Sequence, residues 1–119
     1  MRICIPTMMK GGLDDNLSDH FGMAPTFTIF DTETKQVEIH ANKSDHAGGT
    51  GKPPEQIKKL NTDVVVCRGL GPNAIRMLDS YGIDMFVGAT GCAKDAVEMH
   101  LSGKLAKATE ETACRDHHH

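Results

Sequence analysis

Asp63-Val64-Val65-Val66-Cys67-Arg68-Gly69-Leu70-Gly71-Pro72-Asn73-Ala74 is the stretch that decides the fold. Four consecutive apolar residues after Asp63 read as a strand covered on both faces, the mark of a parallel sheet. Gly69 and Gly71 make a tight connection. Pro72 then opens a helix, because its missing N–H falls where a first helical turn has no acceptor anyway. Ala74, Ile75 and Leu78 give that helix an inward stripe, and Gly82 ends it. The same grammar recurs downstream: Ile83 to Val87 as a buried strand, Ala89-Thr90-Gly91 as a turn, then a helix carrying Ala93, Val97 and Leu101 and closed at Gly103. Upstream, Pro53-Pro54 opens a helix whose inward residues are Ile57 and Leu60.

The first third of the chain reads differently. Residues 2–6 form a short strand that Pro6 is expected to end. Residues 7–24 are a long loop containing Gly11-Gly12. Residues 26–31 form a second strand and 36–42 a third, joined by a polar turn. In the third strand Val37, Ile39 and Ala41 alternate with Glu38, His40 and Asn42, so Val37 and Ile39 are expected on the covered face. The order β-β-β-α-β-α-β-α predicts an α/β fold with a five-stranded mixed sheet, flanking helices and right-handed crossovers. Residues 1–106 are expected to form one domain. Residues 107–119 are expected to be a flexible tail dispensable for folding. Its Cys114 and His117-His118-His119 read equally as a metal-binding run or as part of a purification tag.

Composition narrows the function. With four Phe, one Tyr and no Trp, the core is left to aliphatic residues and Met. A net charge of −3 argues against a broad nucleic-acid or membrane surface. There is no signal-peptide pattern and no apolar run of spanning length, so a cytoplasmic monomer is expected. Cysteines at 4, 67, 92 and 114 lack any Cys-x-x-Cys spacing. Zinc-ribbon and thioredoxin readings therefore fail, and Cys4 and Cys67, inside apolar runs, are expected in the core.

Several glycine-rich loops follow strands or open helices, at the sheet edge where α/β folds bind ligands. Gly69, Gly71 and Asn73 sit in one, and Thr90, Gly91 and Cys92 in another. Thr50, Gly51 and Lys52 precede the first helix. Helix N-termini there direct N–H groups and partial positive charge at an anion. Lys52 and Arg68 are the nearest cations. The Gly48-Gly49-Thr50-Gly51-Lys52 run is not a Walker loop: His46 stands where the first glycine belongs and Pro53 where Ser or Thr belongs. No zinc helix, nucleophile elbow or carboxylate pair is present, and no enzymatic activity is expected. His20, with Phe21 and Gly22, carries the one side chain typical of transition-metal sites. Met8 and Met9 on the same long loop offer thioethers or apolar cover.

Taken together, His20-Phe21-Gly22-Met23-Ala24-Pro25-x-Phe27, the Gly48–Gly51 loop, Val64–Cys67, Gly69-x-Gly71-Pro72-Asn73-Ala74, Gly82-Ile83 and Gly103-Lys104-Leu105 resemble the nitrogenase iron–molybdenum-cofactor biosynthesis family, which includes NifX, NafY and the C-terminal part of NifB. The resemblance spans roughly residues 1–105. It implies a ribonuclease H-like three-layer fold without nuclease activity. It also implies binding of an anionic metal–sulfur cofactor, with His20 as metal ligand or anchor. The chain is similar to the stand-alone "orange protein" branch, which carries a molybdenum–copper sulfide cluster without covalent links. An iron–molybdenum cofactor or its precursor is the alternative cargo, and a MinD/ParA-type ATPase the implied partner. The competing reading is a regulatory or interaction module of the same fold that binds no metal, or binds a nucleotide-like anion.

Overall fold

The computed structural model describes residues 1–43 and 52–109. Their elements run β1 (Arg2–Thr7), β2 (Thr26–Asp31), β3 (Val37–Ala41), α1 (Pro53–Lys59), β4 (Val64–Val66), α2 (Pro72–Ser80), β5 (Asp84–Val87), α3 (Ala93–Leu101) and β6 (Ala106–Lys107). The sheet has the order β3-β2-β1-β4-β5-β6. β1, β4 and β5 are parallel, as expected, and β2, β3 and β6 run antiparallel to their neighbours.

The helices divide between the two faces. α1 and α2 set Ile57, Ile75 and Leu78 against Cys4, Phe27, Ile29, Val65, Cys67 and Met85. On the opposite face α3 sets Ala93, Ala96 and Val97 against Ile3, Ile5, Val64 and Val66. β4 alternates strictly between the two clusters, which is why its sequence is apolar without a break. Full burial of aliphatic side chains on both sides, at about 1.5–3 kcal/mol each, makes this strand the centre of the fold.

Three expectations need correction. The sheet has six strands, not five. β6 pairs with β5, Ala108 donates its N–H to the Met85 carbonyl (2.9 Å), and Ala108 is buried. The first residues of the expected tail thus extend the sheet; two strand residues without apolar periodicity gave no signal. Residues 110–119, with Cys114 and the three histidines, lie outside the described residues.

Val37 and Ile39 are only partly covered. They are 39% and 50% exposed. The register sets Val37 beside Phe30 and Ile39 beside Thr28, on the α3 side, where α3 packs chiefly on β1 and β4 and sets His100 on Phe86 of β5. The polar pair Glu38 and His40 shares the α1/α2 face with Ile29 and Phe27. Glu38 is held there by Arg2, whose guanidinium donates to both carboxylate oxygens at 2.7 and 3.1 Å.

Pro6 does not end β1, which continues to Thr7. The Thr32 N–H bonds the Met1 carbonyl and the Asp63 N–H the Arg2 carbonyl. Odd residues of β1 therefore face β2, and even ones face β4. The missing N–H of Pro6 points past the last β4 pairing at Cys4–Val65, beyond the paired part of the ladder.

Candidate functional site

The parallel arrangement brings the segments after β1 and β4 to one sheet edge, on the side of α1 and α2. A cavity of about 510 Å³ opens there. Its lining comes from three pieces: Asp19 to Met23, Lys52-Pro53-Pro54 at the start of α1, and Gly69, Gly71, Asn73, Ala74 and Met77 around the start of α2. The volume is that of an ordinary small-ligand pocket.

Each wall is positioned by local chemistry. Phe21 is buried and packs on Phe27 at 5.4 Å between ring centroids, fixing the base of the 19–23 loop. Ser18 receives the His20 N–H and donates to the His20 carbonyl. The Asn42 amide donates to the carbonyls of Gly22 (3.0 Å) and Ala24 (2.9 Å), and accepts from Gln56 on α1 (3.1 Å). Asn42 thereby ties the loop to the helix across the cavity. The imidazole of His20 is exposed and has no hydrogen-bond partner among the described residues. Lys52 is exposed and makes no ion pair among them.

The helix N-termini differ sharply in what they offer. At α2 the amides of Gly69, Gly71, Asn73 and Ala74 find no acceptor among the described residues. Those of Asn73 and Ala74 are donors that helix geometry leaves unpaired beside a positive dipole end, and those of Gly69 and Gly71 lie just ahead of them. α1 begins with two prolines and carries Glu55 in its first turn, so its end adds little beyond Lys52. α3 is closed off. The N–H of Ala93 goes to the Asp15 carbonyl and that of Lys94 to the Leu13 carbonyl, both at 2.8 Å. The Cys92 N–H and thiol both donate to Asp95. Those two bonds, the backbone one first, hold the Asp95 carboxyl below its usual range.

The expected site residues accordingly separate. His20, Phe21, Gly22, Lys52, Gly69, Gly71 and Asn73 line one cavity. Thr90 and Gly91 line a separate, polar one of about 380 Å³ beside α3, and Cys92 caps that helix. The reason is topological: α3 crosses to the other face, taking its N-terminus away from α1 and α2. Met8 and Met9 are exposed but line neither cavity. The Gly11-Gly12 turn between them and Asp15 is structural. Both glycines have positive φ; the Gly11 N–H bonds Asp15 and the Gly12 N–H bonds Thr28. A Cβ on Gly11 would come within 2.5 Å of Ile39. Thr50 and Gly51 lie outside the described residues.

Arg68 does not stand free: its guanidinium pairs with Asp19. Sequence reasoning passed over Asp19, Met23, Pro53, Pro54, Ala74 and Met77 as lining residues, and Asn42 as their organiser. Met77 had a signal, since it stands four residues past Asn73 and so shares its helix face.

Cys4 and Cys67 are buried in the core, as expected. Desolvation pushes both thiols up, Cys67 to about 12, which keeps them protonated and poor metal ligands. Among the described residues no group of three or more His, Cys, Asp or Glu side chains is placed to hold a metal ion. No described helix is long and apolar enough to cross a membrane. The cavity therefore offers amide donors, one cation, one open imidazole and an apolar wall of Phe21, Met23 and Met77.

An uncharacterized protein of Methanocaldococcus jannaschii is 27% identical over 114 residues, covering 90% of this chain and 91% of its own. A Thermotoga protein named as a candidate NifB has the same fold, with a TM-score of 0.76 and 27% identity over 89% of this chain and 91% of its own. The apo form of the orange protein from Desulfovibrio gigas matches with a TM-score of 0.75, covering 90% of this chain and 92% of its own; at 24% identity that likeness speaks for the fold. The sequence pattern of the dinitrogenase iron-molybdenum cofactor family matches residues 1–103, and the chain belongs to that family.

Proposed function

We propose that this protein binds and carries an anionic molybdenum-containing metal–sulfide cofactor in the cavity between the 19–23 loop and the starts of α1 and α2. The carrying observation is the set of unpaired amides at the α2 N-terminus, which shares one cavity with Lys52 and His20. A sulfide cluster brings its own bridging ligands. It needs donors for its negative edge, a cation and apolar cover, and this lining supplies them without a cysteine cage. His20 serves as ligand or anchor, and the cargo we favour is a molybdenum–copper sulfide cluster, with an iron–molybdenum cofactor or precursor as the alternative. No catalytic role is assigned to any residue. A MinD/ParA-type ATPase is the partner that family kinship suggests.

The test is reconstitution with tetrathiomolybdate and copper, read as a visible charge-transfer band retained after desalting. His20→Ala should weaken retention roughly tenfold, the scale of one lost interaction to a charged group, with the fold intact. Cys4→Ala and Cys67→Ala should lower stability and leave the colour unchanged. Bleaching by the cysteine changes but not by His20→Ala would mean a thiolate-bound cluster and overturn the site. A wild-type protein that stays colourless would favour the interaction-module reading.

A further inference from the structure

β3 forms one edge of the sheet, and no described residue pairs with its outer side. Which of its groups face outward follows from the ladder. The Asp31 N–H bonds the Gln36 carbonyl, and the Asn42 N–H bonds the Pro25 carbonyl. Residues of even number in β3 thus bond β2, and Val37, Ile39 and Ala41 turn their N–H and C=O groups away from it. The same three side chains lie on the α3 side, exposed. The strand therefore presents open backbone valences and a partly exposed apolar row at the same three positions, Ile39 being half covered by the Gly11-Gly12 turn. Exposed edges of this kind attract a further strand.

We infer that the occupant of this edge is β3 of a second copy of the chain, paired antiparallel about Ile39. The charge pattern selects both partner and register. Outward residues pair with outward residues, so the two-fold axis falls at position 38, 39 or 40. Centring on 38 sets Glu38 against the second copy's Glu38, and centring on 40 sets His40 against the second copy's His40. Centring on 39 opposes Glu38 to His40 twice over, as closely spaced non-hydrogen-bonded pairs. The same register sets Ile39 against Ile39 and Val37 against Ala41, so the apolar rows of the two copies merge on one face. Arg2 already holds Glu38 upright on the opposite face, and the Glu38 carboxylate accepts from His40 within its own chain at 3.0 Å. Six backbone hydrogen bonds would close the edge. The sequence-based expectation of a monomer took no account of these outward groups, which only the register reveals.

The experiment is sedimentation velocity on the full chain from about 10 μM to 1 mM, joined to isotope-filtered NMR on a mixture of labelled and unlabelled protein. A reversible dimer is expected, with contacts between the Hα atoms of residue 38 in one copy and residue 40 in the other. His40→Glu opposes two carboxylates and should weaken the dimer about tenfold, from two cross-strand pairs turned repulsive. His40→Lys sets a cation face to face with Glu38 and should retain it. Both changes remove the intrachain His40–Glu38 contact, so His40→Lys is the control for that loss, and thermal melts verify folding. A chain that stays monomeric at 1 mM, a dimer indifferent to His40→Glu, or contacts that map elsewhere would each overturn the inference.

Discussion

Asp19 is a carboxylate in the lining of a cavity proposed to hold an anion, and Arg68 is what offsets it. This makes the pair a direct probe of the ligand's sign. At a separation of about 6 Å in water-like dielectric, one unit charge interacts with another by about 0.7 kcal/mol. A cluster of three or four negative charges would feel about 2–3 kcal/mol of repulsion from an unpaired Asp19. Screening over a Debye length of about 8 Å roughly halves that, leaving about 1–1.4 kcal/mol, or close to tenfold in affinity. Asp19→Asn removes the repulsion and releases Arg68, so binding should tighten by about that factor. Arg68→Met leaves Asp19 uncompensated and should loosen binding to a similar extent. Neither should change stability by more than about 1 kcal/mol, because both side chains are largely exposed. Equilibrium dialysis against the molybdenum–copper sulfide species, at two salt concentrations, reads the effect. If Asp19→Asn weakens binding, or if both variants move the same way, the ligand is not an anion seated in this cavity.

Two further predictions concern the fold. Hydrogen bonds from Arg2 first and His40 second hold the Glu38 carboxyl down to about 2. A folded-state value below the unfolded one contributes stability that is full above about pH 4.5 and is lost as pH falls toward 2. With the side chain 40% exposed, the contribution is at most about 1 kcal/mol. Denaturant midpoints of wild type and Glu38→Gln should therefore converge across that window, and parallel curves would contradict the assignment. Ending the chain after residue 105 removes β6, the Ala108–Met85 bond and the burial of Ala108. That should cost about 1–2 kcal/mol in a urea titration, at about 1 kcal/mol net per hydrogen bond; a loss under about 0.5 kcal/mol would refute it.

The parts of the fold legible in the sequence are those set by local rules. Val64–Val66 announced a doubly covered strand, and Pro53 and Pro72 marked helix starts to the residue. The hairpin was legible, but its covered face was not: alternation shows that Val37 and Ile39 share a side, and only the reach of α3 decides whether anything lies over it. The site was half legible for a similar reason. Glycines and helix starts identified all the candidate loops, yet the crossing of α3 to the far face removed Thr90, Gly91 and Cys92 from the cavity. The backbone of Leu13 and Asp15 then consumed the amides that made α3 look like an anion site. Asn42 carries no sequence signal, since its role depends on carbonyls twenty residues away.

The two core thiols also bear on how a cargo could leave. Thiol exchange at a metal–sulfide cluster requires a thiolate within reach, and Cys4 and Cys67 are neither ionised nor accessible. On the proposed reading, departure from the cavity owes nothing to these two thiols and rests on amide contacts, one lysine and one imidazole. Added small thiols should accelerate release by acting on the cluster itself, with Cys4 and Cys67 spectators to the sulfur chemistry. On the proposed reading, a cargo would leave with the sulfur atoms it brought, Cys4 and Cys67 taking no part in its chemistry.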